Sequence, residues 1–412
     1  MLVLVNVLVL ARDTEHEDEH QHEHGRSALT DGHWSWPDAR GPTPSLGVCS
    51  PAVIVHPPIP LPDQWTLGDL ERMRLILRGG SVIDWRRLHF QTREEVDHYL
   101  RLCLFEPDDP FDRHRLQRIL DEAVDYLRTT FRYAVTEEVA HPKEVQDLFL
   151  FASGVVNPKL RRIACLVLKV MHVVHHVEAR GLLHRARVSE DELCQLVTQR
   201  VDSAIEKLRR EGLPIVAAAG SVKTRHSVIT KLLAKRETLA AQIYDRVRYR
   251  VVAADREHVL PILVRLCDLL IPFNFVVPGQ TQNTLLSFRK LIRDSPGLRA
   301  LAPELQVGLH LEEDDRRDAD PAQLNEFSGQ SYKVLNFVVD LPVNLPERAV
   351  EAGDGRIAFC MVELQLVDQD TASANERGAN AHQRYKKRQL RRVLRRLSRG
   401  LVVPKGRKPA HK

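Results

Sequence analysis

The sequence predicts an α+β fold, a helical segment followed by a mixed sheet of four to five strands flanked by helices. Three observations carry this. Between Trp65 and Gly212 apolar residues recur at spacings of three and four, the period of helices buried along one face. Beyond Gly212 the apolar runs become short, rich in Val, Ile, Phe and Tyr, and bounded by turn or polar residues. The chain has 412 residues, 43% hydrophobic and 28% charged, enough for two or three domains with cores of their own. That composition excludes a collagen, a disulfide miniprotein and a wholly disordered polymer.

Residues 1–64 read as a disordered leader. They combine EHEDEHQHEHG with the Pro-rich HPPIPLPD, which together bury too little apolar surface to fold. MLVLVNVLVL has the length of a signal core, but it lacks a basic flank and a small-residue cleavage site. His16, His20, His22 and His24 belong to a flexible acidic tract rather than to a metal site.

A helical domain is expected over 65–204. Its first helix, TLGDLERMRLILRGG, stops on glycines. REEVDHYLRLCLF, DRHRLQRILDEAVDYLRTTF and PKLRRIACLVLKVMHVVHHVEARGLL continue the period. SEDELCQLVTQRVDSAIEKLRREG follows, with a capping box expected at Ser189 and Glu192. His172 and His176 lie one turn apart, with His175 between them, but no Glu stands there in the zinc-protease manner; a packing or polar-face role is expected.

Residues 205–400 are expected to form the sheet domain. Four strands are read in RVRYRVVAAD, FNFVVPG, SYKVLNFVVDLPV and RIAFCMVELQLVDQ. SVITKLLAKRETLAAQIY and EHVLPILVRLCDLL are helices between them, and Leu311 to Pro321 is a charged loop. From Arg384 onward there are thirteen Lys or Arg and no acid, which leaves 47 basic residues against 55 acidic ones, a net of −8, in the remainder. The overall charge of +5 is therefore a property of the end of the chain. Within 384–400, Leu390, Val393, Leu394 and Leu397 recur at helical spacing and would pack on the domain, while the arginines form a face suited to RNA or ribosome phosphates; 401–412 is a basic tail.

Six cysteines are spread singly, with no C-x-x-C pair, as expected of thiols in a reducing cytoplasm. No apolar run reaches the roughly 20 residues that cross a bilayer, so no membrane partner is expected.

The residues that suggest chemistry are carboxylates near a cluster of Lys and Arg, a combination suited to phosphoryl transfer. Asp245 opens the first strand, ahead of Arg246, Arg248 and Arg250. Glu363 alternates with Gln365, so both lie on one face of the last strand. If these strands are neighbours, Asp245 and Glu363 can share a magnesium ion. Upstream, Lys223 precedes Ser227 and Lys231, which lie on one helical face near a first turn able to meet phosphate.

The order SVKTRHSVITKLLAKR, DRVRYRVV, SYKVLNFVV, VELQL and AHQRYK resembles the synthetase domain of RelA/SpoT alarmone synthetases over about residues 205–397. That resemblance implies a nucleotidyltransferase-like fold, magnesium, and transfer of pyrophosphate from ATP to the 3′-hydroxyl of GDP or GTP. It also implies that Lys223, Ser227, Lys231 and Arg250 bind ATP and that Asp245 and Glu363 hold the metal. Glu363 would in addition take the proton of the attacking hydroxyl, and Tyr332 would stack on the acceptor's guanine. Gln365, His382, Tyr385 and Lys386 complete the last motifs. The chain departs from the family pattern at Ser221, Arg248, Ser331, Val334, Asn336, Val367 and Ala381, Arg248 standing where the family has glycine. These departures leave a second reading, a nucleotide-sensing or RNA-binding module without catalysis. With no His-Asp dipeptide in the chain, alarmone hydrolysis is not expected.

Overall fold

A computed structural model of the chain describes residues 65–79, 88–234, 246–305, 332–351, 353–377 and 382–397. The leader and the loop at 311–321 lie outside the described residues. Seven helices come first: α1 (Leu67–Arg78), α2 (Arg93–Leu102), α3 (Pro110–Phe131), α4 (Glu137–Ala140), α5 (Val145–Ser153), α6 (Arg161–Arg185) and α7 (Glu190–Arg210). Strand β1 (Ile215–Val222), α8 (Arg225–Ala234), β2 (Val247–Ala253), α9 (Val259–Leu269), β3 (Gln282–Asn283), α10 (Phe288–Asp294) and α11 (Pro296–Leu305) follow. The chain continues through β4 (Leu335–Asn344), β5 (Ile357–Asp368), α12 (Gln369–Asn375) and α13 (His382–Leu397).

Local chemistry sets the helix ends. Thr66 accepts from the backbone N–H of Asp69, whose carboxylate accepts in return from that of Thr66, and α1 stops at Gly79 with φ +61°. Asp109 caps α3, with Pro110 at its first position. Ser189 caps α7 through the N–H of Glu192, as expected. The other half of the expected box is not made, because the Glu192 carboxylate pairs with Arg348 instead.

The five strands run in the order β1-β2-β5-β4-β3. β2 and β5 are parallel, and the remaining neighbours are antiparallel. This is the mixed sheet the sequence predicts, with two differences. FNFVVPG is not a strand: Phe273–Phe275 forms a 3₁₀ turn and Val276 makes a lone bridge to Val339, because Pro272 and Pro278 bracket the run and remove ladder donors. β1, which is not among the four strands read from the sequence, is an edge strand paired with β2.

One face of the sheet is covered by helices, and one hydrophobic core runs from Trp65 to Leu366 through both the helical segment and the sheet. Tyr249 on β2 points into it and donates to the Asp202 carboxylate of α7 at 3.0 Å. Gly220 on β1 is obligatory there, since a Cβ would lie 2.5 Å from the Tyr249 ring. His172, His175 and His176 of α6 also sit on this side: His176 stacks on Phe359 of β5, centroids 4.2 Å apart, and His172 bonds Asn274 at 3.0 Å. Burial first, then His176, pulls the His172 pKa down to about 3, so the ring packs as neutral imidazole.

Candidate functional site

The opposite face of the sheet carries the candidate site. Strand alternation that sends Tyr249 and Val251 into the core turns Arg248 and Arg250 outward, onto the same face as Glu363 and Gln365. The parallel register sets Arg248 opposite Glu363 and Arg250 opposite Gln365. Arg248 Nε lies 2.9 Å from Glu363 Oε2, and Gln365 Nε2 donates to Glu363 Oε1 at 3.2 Å. Arg250 donates to Gln365 Oε1 at 3.3 Å and pairs with Glu376 at 3.0 Å.

Lys223 follows β1 directly, and its N–H bonds the Arg246 carbonyl at 2.8 Å, continuing the β1-β2 ladder. Its ammonium is pulled down to about 6, by burial first and then by Arg248 and Lys231. Glu363 is only 6% exposed. Burial pushes its pKa up, but Arg248 and then Lys223 outweigh this and hold it below the usual carboxylate value. The patch therefore carries more positive than negative charge, a condition that favours an arriving anion.

Lys231 shares this cluster, and Ser227, one turn earlier on α8, is exposed. Thr224 Oγ1 donates to Ser227 Oγ at 3.1 Å and accepts from its N–H at 3.4 Å, so Thr224 organises the first turn of α8. Sequence reasoning missed Thr224, although a Thr just before the helical run was the available signal. Arg246, read as one of three arginines behind the site, instead pairs with Asp191 at the start of α7, 3.1 Å away.

Toward the far end of this face the residues become apolar. Val252, Val334, Val367 and Ala372 form a small buried cluster, and the half-buried Tyr332 packs against it. Val334 lies four positions before Val338, the partner of Glu363, which at strand rise is about 13 Å. The face thus has a cationic end and an aromatic end. Asn336 lies between them, opposite Gln365, its Oδ1 buried without a hydrogen-bond partner.

Asp245 lies outside the described residues, as do the side chains of His382 and Tyr385. Lys386 is exposed on α13. That helix packs through Val393 on Ala234 of α8, whereas Leu390, Leu394 and Leu397 are about half exposed, so one of the four expected packing residues is buried. Among the described residues no group of three His, Cys, Asp or Glu side chains could hold a metal ion, and no helix is long and apolar enough to cross a membrane. The fit to magnesium at Glu363 is poor in this arrangement, because both carboxylate oxygens already accept from Arg248 and Gln365.

No family model matches the chain, and no curated protein matches it. Similar solved structures exist. Small alarmone synthetase 2 from Bacillus subtilis is 14% identical, with a TM-score of 0.29 over 47% of this chain and 77% of that one. Small alarmone synthetase 1 from Bacillus subtilis, bound to its product pppGpp, is 13% identical, with a TM-score of 0.30 over 50% of this chain and 85% of that one. The protein smu.1046c from Streptococcus mutans is 15% identical, with a TM-score of 0.25 over 48% of this chain and 80% of that one.

Proposed function

We propose that this sheet face binds a nucleoside polyphosphate in the manner of a RelA/SpoT synthetase domain. The phosphates of ATP or GTP lie against Lys223, Lys231 and Arg250, with the first turn of α8 beside Ser227, and the base lies toward Tyr332. The observation that carries this is the gathering of Lys223, Lys231 and Arg248 around one buried carboxylate, where burial first and then Arg248 and Lys231 pull Lys223 down to about 6. Such a cluster is costly to maintain without an anion. An aromatic at the apolar end suits a base. The ligand and the singly spread thiols both fit a reducing cytoplasm.

A second reading, pyrophosphate transfer making a (p)ppGpp-type alarmone with magnesium, is favoured by the retention of Glu363 next to Lys223. In it the acceptor's 3′-hydroxyl attacks the β-phosphorus of ATP and AMP leaves. Against it, Glu363 is held in its charged form by Arg248, which makes it a weak base. Arg248 would also have to leave Glu363 before any metal could reach it.

Titrating ATP and GTP into the protein, then incubating ATP with GDP or GTP and following AMP, tests both. Binding without acceptor-dependent AMP is the expected result. Acceptor-dependent AMP that Glu363→Gln abolishes would establish the second reading, and absence of nucleotide binding would remove the first.

A further inference from the structure

Taking the nucleotide reading as its basis, we infer that Arg248 is a built-in counter-ion: its guanidinium supplies at Glu363 the positive charge a divalent cation would otherwise bring, so polyphosphate binds this site without metal. Four observations converge on this.

Arg248 and Glu363 are register partners on adjacent parallel strands. The pairing continues on both sides, from Val247 opposite Val362 to Ala253 opposite Asp368, so the two side chains stay opposed unless β2 slides along β5. Both Glu363 oxygens are engaged, at 2.9 Å by Arg248 and 3.2 Å by Gln365, so a hard cation would have to compete with a donor at each oxygen.

Among the described residues, the other carboxylate bonded into this patch is also taken. Glu376 pairs with Arg250 at 3.0 Å. Lys223, Lys231 and Arg248 lie around Glu363, so an incoming divalent ion meets more positive than negative charge there. The same surroundings that repel a cation attract a phosphate, for which arginine and lysine are the matching donors.

The test is a calorimetric titration of ATP and GTP into the full-length protein, once in excess EDTA and once in excess magnesium chloride. The inference expects dissociation constants within about twofold of each other. Binding that weakens about tenfold or more in EDTA overturns it while leaving the nucleotide reading intact. Absence of binding in both buffers overturns the nucleotide reading itself, and the inference with it.

A second arm titrates manganese into wild type, Arg248→Ala and Arg248→Lys, with the ion followed by electron paramagnetic resonance and folding by circular dichroism. Arg248→Ala should gain manganese binding that wild type and Arg248→Lys lack. A folded Arg248→Ala that gains none overturns the counter-ion role. Should that variant fail to fold, the wild-type comparison in the two buffers still decides.

Discussion

Arg248 and Glu363 face each other across the only parallel strand pair of the described sheet, guanidinium to carboxylate at 2.9 Å, on the face opposite the helical core. The pair joins the one buried carboxylate of the cationic cluster to a residue that sequence pattern alone would have counted as another strand charge. Its consequence for ligand binding can be read from a single substitution. Glu363→Gln keeps the volume and removes the negative charge, so the cluster should bind nucleotide more tightly, by about 1 kcal/mol or roughly fivefold. Isothermal titration with ATP checks this. Weakened binding would mean that Glu363 contacts the ligand through a metal.

Lys223 links binding to protons. With its pKa pulled down to about 6, it is mainly neutral above that pH in the ligand-free protein, and a phosphate beside it favours the ammonium. The complex then holds more protons than the free protein, so affinity falls as pH rises above about 6. Titrations at pH 8 in buffers of different ionisation enthalpy should register proton uptake, and Lys223→Met should abolish it.

Gly220 should tolerate no side chain. In Gly220→Ala the new methyl would meet the Tyr249 ring, and the displacement should cost about 1–3 kcal/mol in urea unfolding. Tyr249→Phe, which loses only the bonds to Asp202 and the Thr198 carbonyl, should cost about 1 kcal/mol and restore room for nothing. The double variant Gly220→Ala with Tyr249→Ala should therefore be less destabilised than the sum of its singles.

The buried histidines should make the fold acid-sensitive. His172 stays neutral down to about 3 when folded but takes a proton near its ordinary value of 6.5 when unfolded. The unfolded chain therefore binds more protons between these limits, and stability falls as pH drops through that window. His175 acts in the same direction, because burial and then Arg115 pull it well below 6.5. Asp340, 3.5 Å from His176, is the carboxylate facing this group. Urea midpoints measured from pH 7 to pH 4 should drop, and less steeply in His172→Leu.

Much of this was legible in the residues, and what was not has physical reasons. β2 and β5 announce themselves by Val, Ile, Phe and Tyr runs, and alternation put Glu363 and Gln365 on one face, where the structure has them bonded to each other. β1 was missed because IVAAAGSV is rich in Ala and Gly, which have little strand preference, and its identity comes from pairing with β2 and from Tyr249 filling the space over Gly220. FNFVVPG misled because β-prone side chains were weighed without the flanking prolines. The Arg248–Glu363 pair could not be read at all, since it depends on which strands are neighbours and in what register, and their sequence separation is large.

The central claim is that Lys223, Lys231 and Arg250 grip a nucleotide's phosphates on the face of the sheet opposite the helical core. The most direct measurement is a crystal structure of the protein with a non-hydrolysable ATP analogue. The account predicts phosphate oxygens within about 3 Å of those three side chains and Arg248 still on Glu363. An analogue bound elsewhere, or bound here with its phosphates turned away from Lys223 and Lys231, would contradict it.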